Sequence, residues 1–325
     1  MIPQEGRAEL AQAPMNPRAP AERPHLEILV SRARRFAPLP VAIVYPCDRD
    51  ALAAAVEAHR INLITPLLVG PRAKIESLAL AAKLDIAGFE LADVSGAPSA
   101  AAREAVMLCR TGRVRALMKG SLHTDELMGA AVAKEGGLRG ARRISHVFVI
   151  DVPGHPRPLL IADAVVNITP DLAAKRDIVQ NAVDFAHAIG IALPRVAILS
   201  AVETVNPAIA GSVDAPALCA MAKSGEISGA ILDGPFAMDN AISAEAARIK
   251  GIHSEVAGRP DILLVPGLEA GNILYKALVY LAGGECAGLV VGAQVPIILT
   301  SRADSVYSRV ASCALAAFQA HQGKN

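Results

Sequence analysis

Five consecutive positions near the C-terminus, Ser301-Arg302-Ala303-Asp304-Ser305, carry two hydroxyls, a guanidinium and a carboxylate. They follow Pro296-Ile297-Ile298-Leu299-Thr300, an apolar run that reads as a short buried strand. They precede an apolar-periodic segment from Val306 to about Gln319, a helix with Asp304 or Ser305 as its N-cap. A strand thus delivers Ser301 and Arg302 to a helix N-terminus, the place where open α/β sheets bind ligands and where anions are favoured. The same residues also suit an ordinary turn that caps and solvates, and spacing alone leaves both readings open.

Other stretches carry chemistry of the same kind. In Leu117-Met-Lys119-Gly120-Ser121-Leu-His123-Thr124 a strand ends at a lysine and a glycine, and hydroxyls follow before a helix. Backbone amides, a point cation and hydroxyls in that order suit a phosphate, although no Walker A pattern is present. A glycine pair at Gly136-Gly137 precedes Arg139, Arg142 and Arg143, a basic loop suited to phosphate or a nucleotide tail, or simply a solvated charge run. Asp233 stands at a strand end with Asp239-Asn240 close behind, a turn and a cap, or a divalent-metal pair. In Glu269-Ala-Gly271-Asn272-Ile-Leu-Tyr-Lys276, Asn272 and Lys276 share one helical face, and Gly271 would admit a close ligand. The histidines show no metal-ligand spacing, and GxGxxG and GxSxG are both missing, which removes support for common dinucleotide binding and for α/β-hydrolase chemistry.

The elements that must position these residues follow from pattern and composition. The 325 residues are 53% hydrophobic with mean hydropathy +0.38, yet no apolar run reaches the 18 or so residues of a membrane helix. Net charge is +1 and there is no Trp, so a general nucleic-acid surface is not expected. Five scattered cysteines without a CxxC point to reduced, buried thiols and a cytoplasmic protein, with Cys313 the one nearest the opening motif. Residues 1–20 hold four prolines and read as a loose tail. From residue 21 short apolar strands alternate with Ala-rich helices, the pattern of mostly parallel α/β sheets. Two domains are expected: residues 21–150 joined by 296–325, and residues 151–295, the latter opening at the Pro-rich loop Asp151 to Arg157.

In their order, these segments resemble the phosphate acetyl/butyryltransferase family. The likeness rests on Leu117 to Thr124, Gly137-Leu138-Arg139, Ser145-His146-Val147, Ile198 to Asn206, Ile231 to Pro235 with Asp239-Asn240-Ala241, Glu269 to Asn272 with Lys276, and Pro296 to Ser305. It spans about residues 25–320 and is closest to the phosphate butyryltransferase-like branch, which includes transferases named bifunctional enoyl-CoA hydratase/phosphate acetyltransferase. The resemblance implies a two-domain fold of the isocitrate/isopropylmalate dehydrogenase type with an interdomain cleft. It implies a homodimer, and reversible transfer of a short acyl group between CoA and phosphate. It implies no metal or cofactor, with CoA and phosphate as substrates. Ser301 would lie beside the CoA sulfur and Arg302 would bind phosphate or the oxyanion. Lys119, Gly120, Ser121, Thr124, Arg139, Asp233, Asn272 and Lys276 would line the substrate cleft. The acetyltransferase branch has an aspartate seven residues after the serine, where this chain has Ser308, so Asp304 is offered as the base. Related sequences also carry an arginine near Met128 or Gly129, and here Arg139, Arg142 or Arg143 would have to supply that charge. A metal-dependent hydroxyacid dehydrogenase of the same fold, and a non-catalytic acyl-CoA or phosphate binder, are the alternatives.

Overall fold

The computed structural model describes residues 23–301 and 304–322, so the expected tail at 1–20 lies outside the described residues. The first strands are β1 (Leu39–Val44), β2 (Ile64–Gly70), β3 (Glu90–Asp93), β4 (Ala116–Lys119) and β5 (Ser145–Asp151). They are followed by β6 (Leu159–Ala162), β7 (Arg195–Leu199), β8 (Ile231–Phe236), β9 (Ile262–Leu264), β10 (Glu285–Val291) and β11 (Ile297–Ile298). These form one sheet in the order β3-β2-β1-β4-β11-β10-β5-β6-β9-β7-β8. β3 through β11 are parallel, as are β6, β9, β7 and β8, and the pairings around β10 and β5 in the centre are antiparallel. The expected mostly parallel α/β sheet is therefore present, with the two parallel wings running in opposite directions. The loop after Asp151 turns a β5–β6 hairpin.

Local chemistry sets the helix starts. Asp48 Oδ1 accepts from Ala51 N at 2.8 Å and opens the helix Arg49–Arg60. Asp171 does the same for Leu172–Ala188, through Ala174 N at 2.8 Å. Alternation along the strands divides the core between the two faces of the sheet. Val41 and Ile43 pack with Val310, Leu315 and Phe318 of the last helix, Val306–Gln322. Ala42 and Val44 pack on the other face with Leu117, Leu127, Ile297 and Leu299, under the helices Pro98–Arg110 and Thr124–Ala131. On that second face a further cluster joins Phe148 and Ile150 to Tyr275 and Val279 of the helix Leu268–Tyr280. Lys119 follows Leu117 by two, so the pleat puts it on that same second face, buried at the end of β4.

Two sequence expectations change. Asp233, expected at a strand end, sits within β8, which continues to Phe236. The thiol nearest the Ser301 motif is Cys286, whose Sγ lies 3.7 Å from Ser308 Oγ, and not Cys313, which packs against Met118.

Candidate active site

The segment after β11 is held at four points. His146 Nε2 faces the Leu299 carbonyl at 3.4 Å. Arg309, only 2% exposed, reaches back from the last helix and donates to Thr300 Oγ1 at 3.0 Å and to the Ser301 carbonyl at 3.1 Å. The Ser301 amide donates to Asp304 Oδ2 at 2.6 Å, and the Asp304 amide donates back to the Ser301 carbonyl at 3.2 Å. Tyr275 donates its hydroxyl to Asp304 Oδ1 at 3.0 Å. Ser301 itself is exposed at the surface of this arrangement. Arg302 lies outside the described residues.

Charge is concentrated beneath it. Lys119 is 3% exposed, and its ammonium, with Arg309, favours the ionised Asp304. Burial nevertheless holds the Asp304 carboxyl above the ordinary carboxylate range, against the opposing pull of Ser301 N–H and Tyr275 O–H. Burial also drives the His146 imidazole down to about 3, so it is neutral and serves as a hydrogen-bonding wedge. Ser305, not Asp304, caps the last helix: Ser305 Oγ accepts from Ser308 N at 2.9 Å. Both Asp304 oxygens take internal donors, an arrangement that suits a brace better than the base expected from the sequence.

The structure brings Lys119, Ser301, Asp304 and the helix of Asn272 and Lys276 to one region. Asn272 donates to the Ala164 carbonyl at 3.4 Å, and Lys276 is exposed one residue after Tyr275. Other expected residues serve the scaffold. A side chain on Gly120 would meet the Val44 and Tyr45 carbonyls at 2.5 Å, so this glycine permits close backbone packing. Ser121 Oγ donates to the Tyr45 carbonyl at 3.0 Å and accepts from Cys47 N at 3.3 Å. Thr124 is exposed at the first turn of its helix, after the cap residue His123. Gly271 packs close to protein: a Cβ there would lie 2.7 Å from Val265 Cγ2 and 3.0 Å from Ala164 Cα.

Two expected residues do not converge on Ser301. Asp233 lies on the edge strand β8, six strands from β11, roughly 29 Å across the sheet. Arg139 bonds the Val132 carbonyl and pairs with Ala293, before β11 begins, whereas Ser301 follows its end. Arg142 pairs with Asp184, and Arg143 bonds Asn167 Oδ1 at 3.2 Å, so neither substitutes for an arginine near Gly129. Gly129 instead borders a cavity of about 440 Å³ whose wall includes Arg103. Tyr275, Arg309 and Asp163 were not singled out from the sequence. Asp163 Oδ1 accepts from Val165 and Val166, and its Oδ2 accepts from Asn167, winding the loop that presents the Ala164 carbonyl to Asn272. Each acts through partners distant in sequence or through backbone; only the carboxylate-to-asparagine spacing of Asp163-Ala-Val-Val-Asn167 was a local signal.

The architecture is that of the dehydrogenase-like two-domain α/β proteins. A 4-hydroxythreonine-4-phosphate dehydrogenase from Burkholderia phymatum superposes with TM-score 0.52 at 12% identity, over 87% of this chain and 98% of that one, a likeness of fold alone. The sequence profile described as phosphate acetyl/butaryl transferase matches residues 97–317. A phosphate acetyltransferase from Rhizobium meliloti is 56% identical over 94% of this chain and 96% of its own length. The crystal structure of a branched-chain phosphotransacylase from Enterococcus faecalis V583 matches with TM-score 0.77 at 30% identity, covering 87% of this chain and 99% of that one. The chain belongs to the phosphate acetyl/butyryl transferase family.

Proposed function

We propose that this chain catalyses the reversible transfer of a short acyl group from CoA to inorganic phosphate, with acetyl the first substrate to try. The observation that carries the reading is the Ser301 segment, braced by Asp304, Tyr275 and Arg309 beside the buried Lys119, in a chain of this family. The relative named phosphate acetyltransferase at 56% identity supports acetyl. A phosphate oxygen attacks the thioester carbon, a tetrahedral oxyanion forms, and its collapse breaks the C–S bond. The proton of HPO₄²⁻ ends on the CoA sulfur, so acyl phosphate and free thiol balance the substrates. Ser301 Oγ donates to the sulfur or to the oxyanion, and Arg302 and Lys119 offset the negative charge. Asn272 and Lys276 orient substrate from the facing helix, and holding the two reactants in line supplies much of the rate. Asp304 braces the Ser301 segment.

The proposal includes two domains meeting at this cleft, a homodimer, and a cytoplasmic location. Ile273 at 69% and Leu281 at 87% exposure offer apolar surface to a second copy. All five cysteines are free thiols, which suits a reducing compartment. Among the described residues no helix is long and apolar enough to cross a membrane.

The test is thiol release from acetyl-CoA, propionyl-CoA and butyryl-CoA with and without phosphate. Phosphate-dependent release is expected, lowered roughly 10²-fold or more by Ser301→Ala or Arg302→Ala. Tight CoA binding with no release for any chain length would replace the enzyme reading by that of a binding protein.

A further inference from the structure

We propose that Tyr275 is a positioning residue for acyl transfer: through Asp304 it fixes the orientation of Ser301. This rests on the acyltransferase reading above and adds a residue to its site. From the helix Leu268–Tyr280 the hydroxyl of Tyr275 donates to the Ser301–Asp304 segment, 3.0 Å from Asp304 Oδ1. The other oxygen of the same carboxylate takes the Ser301 amide at 2.6 Å. A rotation of the carboxylate therefore moves Ser301.

The tyrosine is itself fixed. Its ring stacks on Phe148 with centroids 4.0 Å apart and planes 8° from parallel. Phe148 meets His146 edge-on at 4.3 Å, and His146 holds the Leu299 carbonyl. An aromatic column rooted in β5 thus supports both ends of the segment from Leu299 to Asp304. One turn earlier in the tyrosine's helix, the bare Gly271 lets the backbone settle on Val265 and Ala164, which sets the height of the ring. Asn272 and Lys276 ride on that same helix. Substrate contacts made by these two residues and the orientation of Ser301 are joined by one hydroxyl.

Among the described residues, the titratable and charged groups facing Asp304 are Tyr275, Cys286 from β10, Arg309 from the last helix and Lys119 from β4. The Cys286 thiol is pushed up to about 12 by burial. Asp304 is the carboxylic acid among them, and burial holds it above the ordinary carboxylate range. Tyr275 favours its ionised form, so loss of the hydroxyl raises the pH at which the carboxyl ionises.

The experiment compares Tyr275→Phe, which keeps the ring stack, with wild type. The expected result is a fall in kcat of roughly ten- to hundredfold with KM for acyl-CoA little changed. The acid limb of the pH–rate profile should move to higher pH. Independently of activity, carbon-13 NMR of aspartate-labelled protein, with the Asp304 signal assigned through Asp304→Asn, should show the same upward shift. Phe148→Leu keeps the hydroxyl but frees the ring, and should move the titration in the same direction by less. An unchanged Asp304 titration in Tyr275→Phe, with an unchanged acid limb, overturns the proposal. An inactive wild type would instead remove the acyltransferase reading, and the titration would still decide whether Tyr275 governs Asp304.

Discussion

Ser305 Oγ sits 2.9 Å from the Ser308 amide, and that bond leaves Asp304 outside the helix it precedes. Cap and brace are separate residues, and substitutions should separate them. Ser305→Ala should lower stability by about 1 kcal/mol with acyl transfer largely kept. Asp304→Ala should strongly reduce acyl transfer, because both donors on its oxygens lose their acceptor. Chemical denaturation beside thiol-release kinetics reads both effects, and equal damage to activity from the two variants would contradict the division.

Arg309 is buried and divides its guanidinium between a hydroxyl and a carbonyl. Lysine keeps the charge but not the planar fork. Arg309→Lys should therefore lower kcat at least tenfold and cost about 1–3 kcal/mol of stability through unmet buried groups. A variant with wild-type kinetics would show that Thr300 and Ser301 hold their places without it.

Gly271→Ala tests whether the glycine serves packing or ligand approach. A methyl group there meets Val265 and Ala164 at 2.7–3.0 Å. The helix must lift, at a cost of about 1–3 kcal/mol, and Asn272 and Tyr275 move with it. A lower urea midpoint together with reduced kcat is expected. A change in substrate KM alone, at full stability, would favour the ligand-approach reading.

His146 makes stability depend on pH. Its imidazole ionises at about 3 in the fold against an ordinary 6.5, so the unfolded chain binds a proton that the folded chain refuses. The contribution is complete above pH 6.5 and is lost as pH falls toward 3. Between pH 6.5 and 5 it amounts to roughly 2 kcal/mol. His146→Gln should flatten the acid side of the stability curve by about that amount, measured as the difference between the two proteins' denaturation midpoints. Parallel curves would mean that His146 is already protonated in the fold.

Much of this was legible in the sequence where the signal was local. Apolar runs bounded by Gly, Pro and Asp marked the strands, and Asp48 marked a helix start that the structure keeps. Ser301, Lys119 and Asn272 stood at strand ends or helix starts, where periodicity changes, so residue type and position agreed. Asp233 misled for the same reason. A carboxylate near the end of an apolar run looks alike on any strand, and only strand order reveals that β8 is the far edge. Tyr275 was hidden as one more apolar position in a helix. Its partner Asp304 lies 29 positions on, and no local pattern links them. Arg309 carried no local signal, because the buried oxygens that hold it belong to the preceding turn.

The pairing of β11 with β4 and β10 also bears on how the chain is made. Leu117 waits for Ile297, so the edge of β4 finds its neighbour only when the last strand is released by the ribosome. Until then the strands β1 to β4 present an unfinished, apolar edge, the kind of surface on which nascent chains associate with one another. The residues that complete the sheet are also those that carry Ser301. A chain truncated before residue 297 would lack both the closing strand and the Ser301 segment, so a partially synthesised product would expose a sticky edge.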